Sequence, residues 1–299
     1  MDTNILLENG TNELEVLEFT LGNNHYGINV AKVREIISFQ EVTPVPNSHE
    51  CVDGVFMPRD TMITAVNLKK AVGLPDDGKK GLFIITNFNK LNIAFHVDTV
   101  LGIHRISWTE IITPDATVNN AGNGVSTGII KLGEKLIIIL DFEKIVTDIS
   151  PETGLKMSDV EKWTDRERND MPILISEDSP LLSKLITDCL KKSGYTNLIV
   201  TQNGQEAWNQ LCSLKKQGNV LDKVKCVITD IEMPLMDGHR LTKLIKEDDV
   251  LAKIPVVIFS SLVNEEMKRK GENIGADIQL SKPEIGKLVQ AIDDLLHTY

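Results

Sequence analysis

The feature that most constrains the fold is a change in hydrophobic rhythm between the two halves of the chain. In the first half, short apolar runs of strand length are separated by turn-forming residues such as Gly22, Asn23 and Asn24. In the second half, from Met171 onward, apolar strands alternate with amphipathic segments of helical period. A chain of 299 residues is long enough for two hydrophobic cores at about 150 residues each. The pattern therefore predicts two domains of different fold class.

The first half is predicted to be an all-β domain. Many short strands at close spacing favour antiparallel sheets that close into small barrels, because closure leaves no free sheet edge. Short helices are expected only at residues 31–37 and 142–146. The predicted strands are residues 16–21, 25–30, 62–66, 82–87, 91–97, 127–131 and 135–140.

The second half is predicted to be an α/β domain built from five β-α units. Strands that alternate with helices pair in parallel through right-handed crossovers, which gives a doubly wound sheet with helices on both faces. Ligands of such sheets bind beyond the carboxyl ends of the strands. The predicted strands are residues 172–176, 198–201, 226–229, 256–259 and 278–280, and the predicted helices are residues 181–192, 204–216, 238–246, 264–273 and 284–296.

A polar segment of mixed charge separates the two predicted domains. We therefore expect a tail at residues 1–12, a first domain at 13–147, a linker at 148–170 and a second domain at 171–299. Trp163 is the one large apolar residue of this linker. It either docks onto one of the domains or is a lone exposed aromatic residue.

Charge and composition exclude several classes of function. The formal net charge of -11 repels phosphate backbones and anionic lipids, and the sequence contains no basic patch that would outweigh it, so we expect no nucleic-acid partner. The four cysteines form no CxxC pair, which argues against zinc and redox dithiol sites. No apolar run approaches the roughly 20 residues of a membrane span, and no signal peptide is recognisable. A cytoplasmic protein is expected, without direct membrane insertion.

Five polar residues follow or end the predicted strands of the second half: Glu177, Asp178, Asp230, Ser260 and Lys282. Since the carboxyl ends of parallel strands meet at one edge, we expect these side chains to lie together. Three carboxylates within a few ångströms repel each other by roughly 1 to 4 kcal/mol per pair, so the group requires a cation. An all-oxygen site with few carboxylates is typical of Mg²⁺.

This arrangement indicates phosphoryl chemistry. Asp230 can act as an oxygen nucleophile toward phosphorus, which would produce an acyl phosphate. Lys282 would pair with a phosphoryl oxygen, and the hydroxyl of Ser260 would donate to another. Taken alone, Asp178 could instead be a helix cap before Ser179 and Pro180. A phosphatase with an aspartate nucleophile is a rival interpretation, although such enzymes carry the nucleophile on their first strand.

Four segments of the second half resemble response-regulator receiver domains: ILISEDSPLLSKLI, VITDIEMPLMDGHRLTKLIK, IPVVIFSS and GADIQLSKP. The resemblance implies that Asp230 is the phosphoacceptor, with Ser260 as the switch hydroxyl and Lys282 as the phosphate-binding lysine. It further implies Mg²⁺ held directly by Asp178 and Asp230, by Glu177 through water, and by the backbone carbonyl of Glu232. Gln279 occupies the position of the family's aromatic switch residue, so a graded response is expected.

The first half contains no comparable catalytic set. His25, His49, His96 and His104 are scattered without the spacing of metal ligands, and we expect them to serve packing. The absence of such a set suggests a binding function.

Three segments of the first half resemble the CheW family of chemotaxis coupling proteins: VLEFTLGNNHYGINVAKVREII, VDGVFMPRDTMITAVNLKKAVG and VSTGIIKLGEKLIIILDFEKI. The resemblance implies two SH3-like five-stranded barrels that bridge chemoreceptor tips to the CheW-like regulatory domain of a histidine kinase. It also implies that Val33, Glu35, Ile36 and Arg59 face the receptor. The turn at residues 56–60 keeps only the Arg of the family's usual Asn-Leu-Arg-Gly, and Arg59 could also be a solvated surface charge.

A coupling module ahead of a receiver is the arrangement of CheV-type chemotaxis proteins. This likeness implies an adaptor rather than an enzyme, held in membrane-associated arrays and phosphorylated on Asp230 by the kinase. Phosphorylation would alter coupling during adaptation or drain phosphoryl groups as a sink. The chain ends one helix after Lys282, so a DNA-binding output domain is not expected.

Overall fold

The computed structural model describes residues 12–88, 91–112, 124–151, 167–262, 265–282 and 284–297. The chain divides into two compact units, one formed by Leu14–Thr153 and one that contains Gly154–Tyr299. The first unit is all-β and the second is an α/β unit with a parallel sheet, so the predicted fold classes are confirmed. Most of the predicted tail and linker, including Trp163, lies outside the described residues.

The first unit contains ten strands and two short helices within the described residues. They are β1 (Glu13–Leu21), β2 (Asn24–Asn29), β3 (Val33–Ser38), β4 (Val52–Phe56), β5 (Ile63–Asn67), α1 (Leu68–Ala71), β6 (Leu82–Phe88), β7 (Leu91–Val97), β8 (Thr99–Ser107), β9 (Ser126–Leu132), β10 (Lys135–Leu140) and α2 (Phe142–Ile149). These strands form two five-stranded sheets, in the orders β8-β1-β2-β10-β9 and β3-β6-β7-β5-β4.

The predicted helix at residues 31–37 is wrong. Only a 3-10 turn at Val30–Lys32 is helical, and the following residues form β3. The spacing of Val33, Ile36 and Ile37 is compatible with a helix face, but antiparallel pairing with β6 satisfies the backbone of this segment instead. Strands β4 and β8 were not predicted from the sequence.

Each sheet is closed by the segment of chain that follows one of its edge strands, β8 or β3. Ile112, after β8, bridges to Ile129 of β9, while Thr43, after β3, bridges to Val55 of β4. We call the sheet that contains β1 the first barrel and the sheet that contains β3 the second barrel. Each encloses a hydrophobic cluster of its own, and a third cluster combines residues of both sheets.

The two barrels follow one plan. Each has a parallel strand pair, β10 with β2 and β5 with β7, and in each the first strand of that pair leads directly into a helix. Asn67 caps α1 and Asp141 caps α2, so these residues are equivalent. The parallel registers, counted from these caps, make Gly27 of β2 equivalent to Ala94 of β7. Glu18 of β1 pairs with Gly27 and Ile85 of β6 pairs with Ala94, so Glu18 and Ile85 are equivalent.

The second unit is a doubly wound parallel sheet. Its elements are β11 (Ile173–Ser176), α3 (Pro180–Lys192), β12 (Leu198–Thr201), α4 (Gly204–Lys216), α5 (Val220–Lys223), β13 (Cys226–Thr229), α6 (Gly238–Lys246), β14 (Val256–Ser260), α7 (Glu265–Asn273), β15 (Ile278–Ser281) and α8 (Ile285–His297). The strand order is β12-β11-β13-β14-β15, and all four neighbouring pairs are parallel.

Two apolar clusters hold the helices of the second unit against its sheet. One cluster joins strand residues to α3 and α8, and the other joins them to α4 and α6. This arrangement covers both faces and leaves the carboxyl ends of the strands as a polar rim. In the described part of the chain, no helix combines the length and the apolar character that a membrane span requires.

Candidate functional site

The strand registers bring the predicted chemical residues of the second unit to one edge. Ser176 pairs with Thr229, and the backbone N–H of Asp230 extends this ladder by donating to the Ser176 carbonyl at 3.0 Å. Ser260 pairs with Ser281, and the N–H of Lys282 donates to the Ser260 carbonyl at 3.1 Å. All the strand-end residues therefore leave the sheet at the same rim.

Glu177, Asp178 and Asp230 form what we call the acidic cluster. Each offers one carboxylate oxygen, and the three oxygens lie within 4.8 Å of one another. Glu177 and Asp230 are buried, whereas Asp178 is half-buried. Within the described part of the chain, this is the one group of three or more acidic, histidine or cysteine ligands that lie so close together. Its oxygen donors are the type that Mg²⁺ prefers.

The ammonium group of Lys282 lies inside this acidic cluster. Its Nζ is 2.8 Å from Oδ2 of Asp230 and 3.2 Å from Oε2 of Glu177, and the residue is buried. One ammonium balances only one of three ionised carboxylates. The group as a whole thus carries excess negative charge in a place with little water, which is the electrostatic condition for binding a divalent cation.

The backbone fixes Asp230 firmly. Its Oδ1 accepts a hydrogen bond from the N–H of Ile231 at 2.7 Å, and its carbonyl accepts one from Oγ1 of Thr229 at 2.8 Å. A Cβ atom on Gly238 would lie 1.8 Å from that same carbonyl oxygen. Only glycine therefore lets the start of α6 approach Asp230 so closely. Sequence reasoning missed Gly238, although an Asp-Gly pair before an amphipathic helix is a recognisable start signal.

The structure decides the alternative reading of Asp178 as a helix cap. The cap of α3 is Ser179, whose side chain accepts from the N–H of Leu182 at 3.4 Å, and Pro180 occupies the first turn. The N–H of Ser179 in turn donates to Oε1 of Glu177 at 3.3 Å. Asp178 is thus not needed to cap this helix.

The remaining predicted residues of this rim are Ser260, Glu232 and Gln279. Ser260 is fully buried, and its Oγ accepts from the N–H of Leu262 at 3.3 Å. Glu232 lies in the loop after Asp230, and the metal contact of its carbonyl stays a prediction. Gln279 of β15 donates from Nε2 to the Lys268 carbonyl at 2.7 Å, and a Cβ on Gly271 would lie 2.3 Å from its Cδ. Gln279 is therefore held against α7.

The first unit brings together two of its four predicted partner-binding residues. Nη2 of Arg59 lies 3.8 Å from Oε2 of Glu35, and the Arg59 side chain is 86% exposed. Both residues line a small pocket of about 100 Å³. The other lining residues are Arg34, Ile37, Pro58, Thr61, Ile63 and Ile85.

Val33 and Ile36 lie on the opposite face of β3. A bulge between Val33 and Glu35 shifts the register, so that Val33 is opposite Thr86 and Ile36 is opposite Ile84, while Glu35 is opposite Ile85. Side chains alternate along β6, so the first two share one face and Glu35 has the other. Val33 packs against the cluster between the sheets, and Ile36 is 40% exposed.

The turn that presents Arg59 has an unusual backbone. Arg59 has φ 50° and ψ 48°, and the next residue, Asp60, has φ 63°. Two successive non-glycine residues in the left-handed region cost roughly 1 to 2 kcal/mol each. The turn keeps this conformation even though no glycine is present to favour it.

Comparison with known proteins assigns a family to each unit. Residues 15–150 match the model of the CheW-like domain, and residues 173–293 match the model of the response regulator receiver domain. Chemotaxis protein CheV3 of Helicobacter pylori is 32% identical over 91% of this chain and 88% of that protein. Chemotaxis protein CheV1 of the same species is 25% identical, with 91% and 89% covered. Chemotaxis protein CheW of Thermotoga maritima is 32% identical over 50% of this chain and 98% of its own length.

Proposed function

The chain belongs to the CheV family of chemotaxis coupling adaptors, and from this premise we propose that its receiver domain accepts a phosphoryl group on Asp230 from the chemotaxis histidine kinase. The observation that carries the proposal is the acidic cluster with Lys282 inside it, where Asp230 is 2.8 Å from the ammonium group. The excess negative charge there supports a bound Mg²⁺. Asp178 and Asp230 would hold the ion directly, Glu177 through water and Glu232 through its carbonyl.

The proposed transfer requires little of the protein beyond positioning and charge compensation. When bound, Mg²⁺ supplies positive charge to the phosphoryl oxygens. A carboxylate oxygen of Asp230 forms the new O–P bond, the P–N bond of the donor phosphohistidine breaks, and its electron pair returns to the imidazole nitrogen. The N–H of Ile231 keeps the carboxylate oriented through Oδ1.

After the transfer, two residues respond to the added charge of about -1.5 to -2. Lys282 pairs with a phosphoryl oxygen, and Ser260 donates its hydroxyl to another. Two charge-assisted hydrogen bonds of roughly 1.5 to 3 kcal/mol each shift a conformational equilibrium without inverting it completely. Because Gln279 occupies the position of the family's aromatic switch residue, the response is graded and involves no aromatic rotation.

The coupling domain holds the protein in receptor and kinase arrays on the cytoplasmic side of the membrane. Glu35 and Arg59 at the pocket, together with Val33 and Ile36 on the other face of β3, contact the receptor tip. Replacing Arg59 with Glu tests this surface by co-sedimentation with receptor arrays. Arg59→Glu should weaken binding, whereas Arg105→Glu, on the exposed face of β8, should not. If both variants bind receptor arrays equally well, Arg59 does not belong to the receptor-binding surface.

A labelling experiment tests the phosphoryl transfer itself. The protein is incubated with Mg²⁺ and with histidine kinase that carries a radiolabelled phosphoryl group. The label should move to the wild-type chain. Asp230→Asn should abolish labelling. Asp222→Asn is the matched control at an exposed residue of α5, and it should leave labelling intact. An unlabelled wild-type chain would refute the proposal, and hydrolysis of a generic phosphomonoester would favour the phosphatase interpretation.

Two outputs of phosphorylation are distinguished by one further measurement. If the receiver alters coupling, kinase activity in reconstituted arrays should differ between phosphorylated wild type and Asp230→Asn. If the receiver acts as a sink, kinase activity should be the same with wild type and with Asp230→Asn. The lifetime of the phosphorylated kinase should then fall as wild-type chain is added, but not as Asp230→Asn is added.

A further inference from the structure

Two exposed methionines flank the turn that presents Arg59. Met57 is 63% exposed and Met62 is 64% exposed. Among the large apolar side chains of the described residues, these two have the largest exposed fractions. We call Met57 and Met62 the methionine pair. Their thioether sulfurs are open to small molecules in the solvent.

The strand register places the methionine pair side by side. Phe56 at the end of β4 is opposite Ile63 at the start of β5, and continuing this register by one residue makes Met57 opposite Met62. Side chains alternate between the two faces of a strand. Phe56 and Ile63 belong to the cluster inside the second barrel, so both methionines lie on the outer face. Opposite residues on one face typically have Cβ atoms about 5 Å apart.

The turn between the two methionines has a fixed conformation. The N–H of Thr61 donates to the Pro58 carbonyl at 3.2 Å, and Arg59 and Asp60 both have a left-handed backbone. Nη2 of Arg59 also lies 3.8 Å from Oε2 of Glu35. The turn therefore holds the methionine pair and Arg59 together as one small surface of mixed apolar and positive character.

The other methionines of the described residues are better shielded. Met233, Met236 and Met267 of the receiver are buried, and Met171 is 37% exposed. Oxidation of a side-chain sulfur requires that an oxidant reach it, so susceptibility follows exposure. The methionine pair should therefore react before these four residues.

The cysteines do not compete with the methionine pair for an oxidant. Three of the four are buried and the fourth, Cys212, is partly buried. Burial raises the pKa of all four thiols, to about 11 for Cys189 and to about 12 for Cys226. The thiolate is the form of cysteine that reacts with peroxides, so these protonated thiols react slowly at neutral pH.

We propose that Met57 and Met62 form a reversible oxidation site that controls receptor binding by the coupling domain, an inference that rests on the receptor surface proposed above. The oxidant is a peroxide. With hydrogen peroxide, a lone pair of the thioether sulfur attacks one oxygen, the S–O bond forms and the O–O bond breaks. The departing hydroxide takes the proton of the transferred oxygen and becomes water. The sulfur is oxidised by two electrons and the peroxide is reduced.

The product changes the character of the surface around Arg59. Methionine sulfoxide is polar, whereas the thioether is apolar. An apolar contact of the receptor with the methionine pair is therefore lost on oxidation, while the fold of the barrel is not affected because both side chains lie outside its core. A methionine sulfoxide reductase reverses the change. Two thiols of a dithiol reductant then become a disulfide, and the sulfoxide oxygen leaves as water.

Peptide mapping of the full-length protein tests the chemistry. After treatment with hydrogen peroxide and proteolysis, mass spectrometry shows which methionines have gained an oxygen atom. Met57 and Met62 should gain oxygen while Met233 and Met267 remain unmodified, and sulfoxide reductase with a dithiol should remove it again. Oxidation of the buried methionines at the same rate as the methionine pair would refute the assignment.

Co-sedimentation with receptor arrays tests the consequence for binding. Peroxide-treated wild type should bind about tenfold more weakly than untreated protein, and reductase should restore binding. The double variant Met57→Leu/Met62→Leu keeps two apolar side chains of similar volume without sulfur, so it should bind normally and resist peroxide. Met171→Leu is the matched control that removes a methionine of the receiver, and it should stay fully sensitive.

The outcomes separate the oxidation site from the receptor surface. If untreated wild type binds, Arg59→Glu does not, and peroxide leaves wild-type binding unchanged, the receptor surface stands and the oxidation site is overturned. The same loss of binding in wild type and in the double leucine variant after peroxide would also overturn it, because the loss would then arise elsewhere. If untreated wild type and Arg59→Glu bind equally, the receptor surface fails, and control of binding by the methionine pair fails with it.

Discussion

The coupling domain and the receiver domain both bury carboxylates, but they compensate the negative charge in different ways. In the first barrel, one carboxylate, that of Glu18, faces two histidines and so has a partner for each oxygen. In the receiver, three carboxylates lie together, and the buried ammonium of Lys282 pairs with two of them, Asp230 and Glu177. The first arrangement satisfies its single carboxylate with side chains of the barrel itself. The second carries excess negative charge, and this excess suits it to a divalent cation and phosphoryl chemistry.

Among the described residues of the second barrel no carboxylate is buried, so this barrel serves as a reference for the first. Ile85 occupies the position of Glu18 on the same strand plan. The two barrels show that burial of a carboxylate is not a requirement of the barrel fold. The buried positions differ in the neighbouring side chains that can compensate a negative charge. Changing those side chains is therefore the most direct way to test the comparison.

The largest effect is expected from placing a carboxylate in the second barrel without its histidines. Ile85→Glu buries a charge directly opposite Glu35, so the coupling domain should lose about 4 kcal/mol of unfolding free energy. Urea-dependent hydrogen exchange of β6 and β7 measures this loss. Adding Asn92→His, at the position equivalent to His25, should restore part of it, whereas Ile85→Val should cost only about 1 kcal/mol. A loss below 1 kcal/mol for Ile85→Glu would show that the site tolerates an uncompensated charge.

Removing the receiver's ammonium should have the next largest effect. In Lys282→Met, Glu177 and Asp230 lose a partner at 3.2 and 2.8 Å, and the receiver should lose about 3 kcal/mol without added metal. Mg²⁺ should recover more stability in this variant than in wild type, because the ion then faces a larger excess of charge. Urea-dependent exchange of β13 and β14 is the measurement. Lys223→Met, on exposed α5, is the control and should change neither value.

The receiver site was more predictable from sequence than the contacts of Glu18 with His25 and His104, for a physical reason. Parallel strands of a doubly wound sheet end at one edge, so Asp230, Ser260 and Lys282 could be placed together from the ends of apolar runs alone. The contacts of Glu18 depend on which strands of the first barrel are neighbours. No local pattern links Glu18 to a residue 86 positions away, and β8 was not recognised as a strand. His25 and His104 were accordingly assigned to packing.

A similar limit explains the error at β3. The apolar spacing of its residues fits one face of a helix, and only pairing with β6 makes it a strand. The bulge beside Glu35 could not be foreseen either, because it exists only relative to the partner strand. It places Glu35 and Ile36 on opposite faces, which the family resemblance alone did not indicate.

A buried histidine should make the stability of the receiver depend on pH. His239 on α6 is buried, its Nε2 has no hydrogen-bond partner among the described residues, and burial together with the charge of Lys270 lowers its pKa to about 4. The unfolded chain therefore binds the proton first. This contribution to stability is present above about pH 6.5 and is lost as the pH falls toward 4, by at most about 1.4 kcal/mol per unit.

Subtracting a variant isolates this contribution of His239. Burial raises the pKa of the neighbouring Asp237 to about 6, and its contribution has the opposite sign over the same range. His239→Phe removes one titrating group and keeps the other, so the wild-type receiver should lose stability relative to the variant between pH 6 and 4. Urea-dependent exchange of α6 at several pH values provides the measurement. A constant difference would mean that His239 does not titrate on unfolding.

The smallest effect concerns the turn of the second barrel that presents Arg59. Asp60 has φ 63°, a region that costs an L-residue roughly 1 to 2 kcal/mol and costs glycine little. Asp60→Gly should therefore stabilise the coupling domain by about 1 kcal/mol, even though glycine makes the unfolded chain more flexible. Asp60→Ala should not stabilise it, because alanine keeps the Cβ atom. If receptor binding nevertheless falls in Asp60→Gly, the strained turn serves to hold Arg59 in place, and if binding is unchanged, the strain has no part in presenting that side chain.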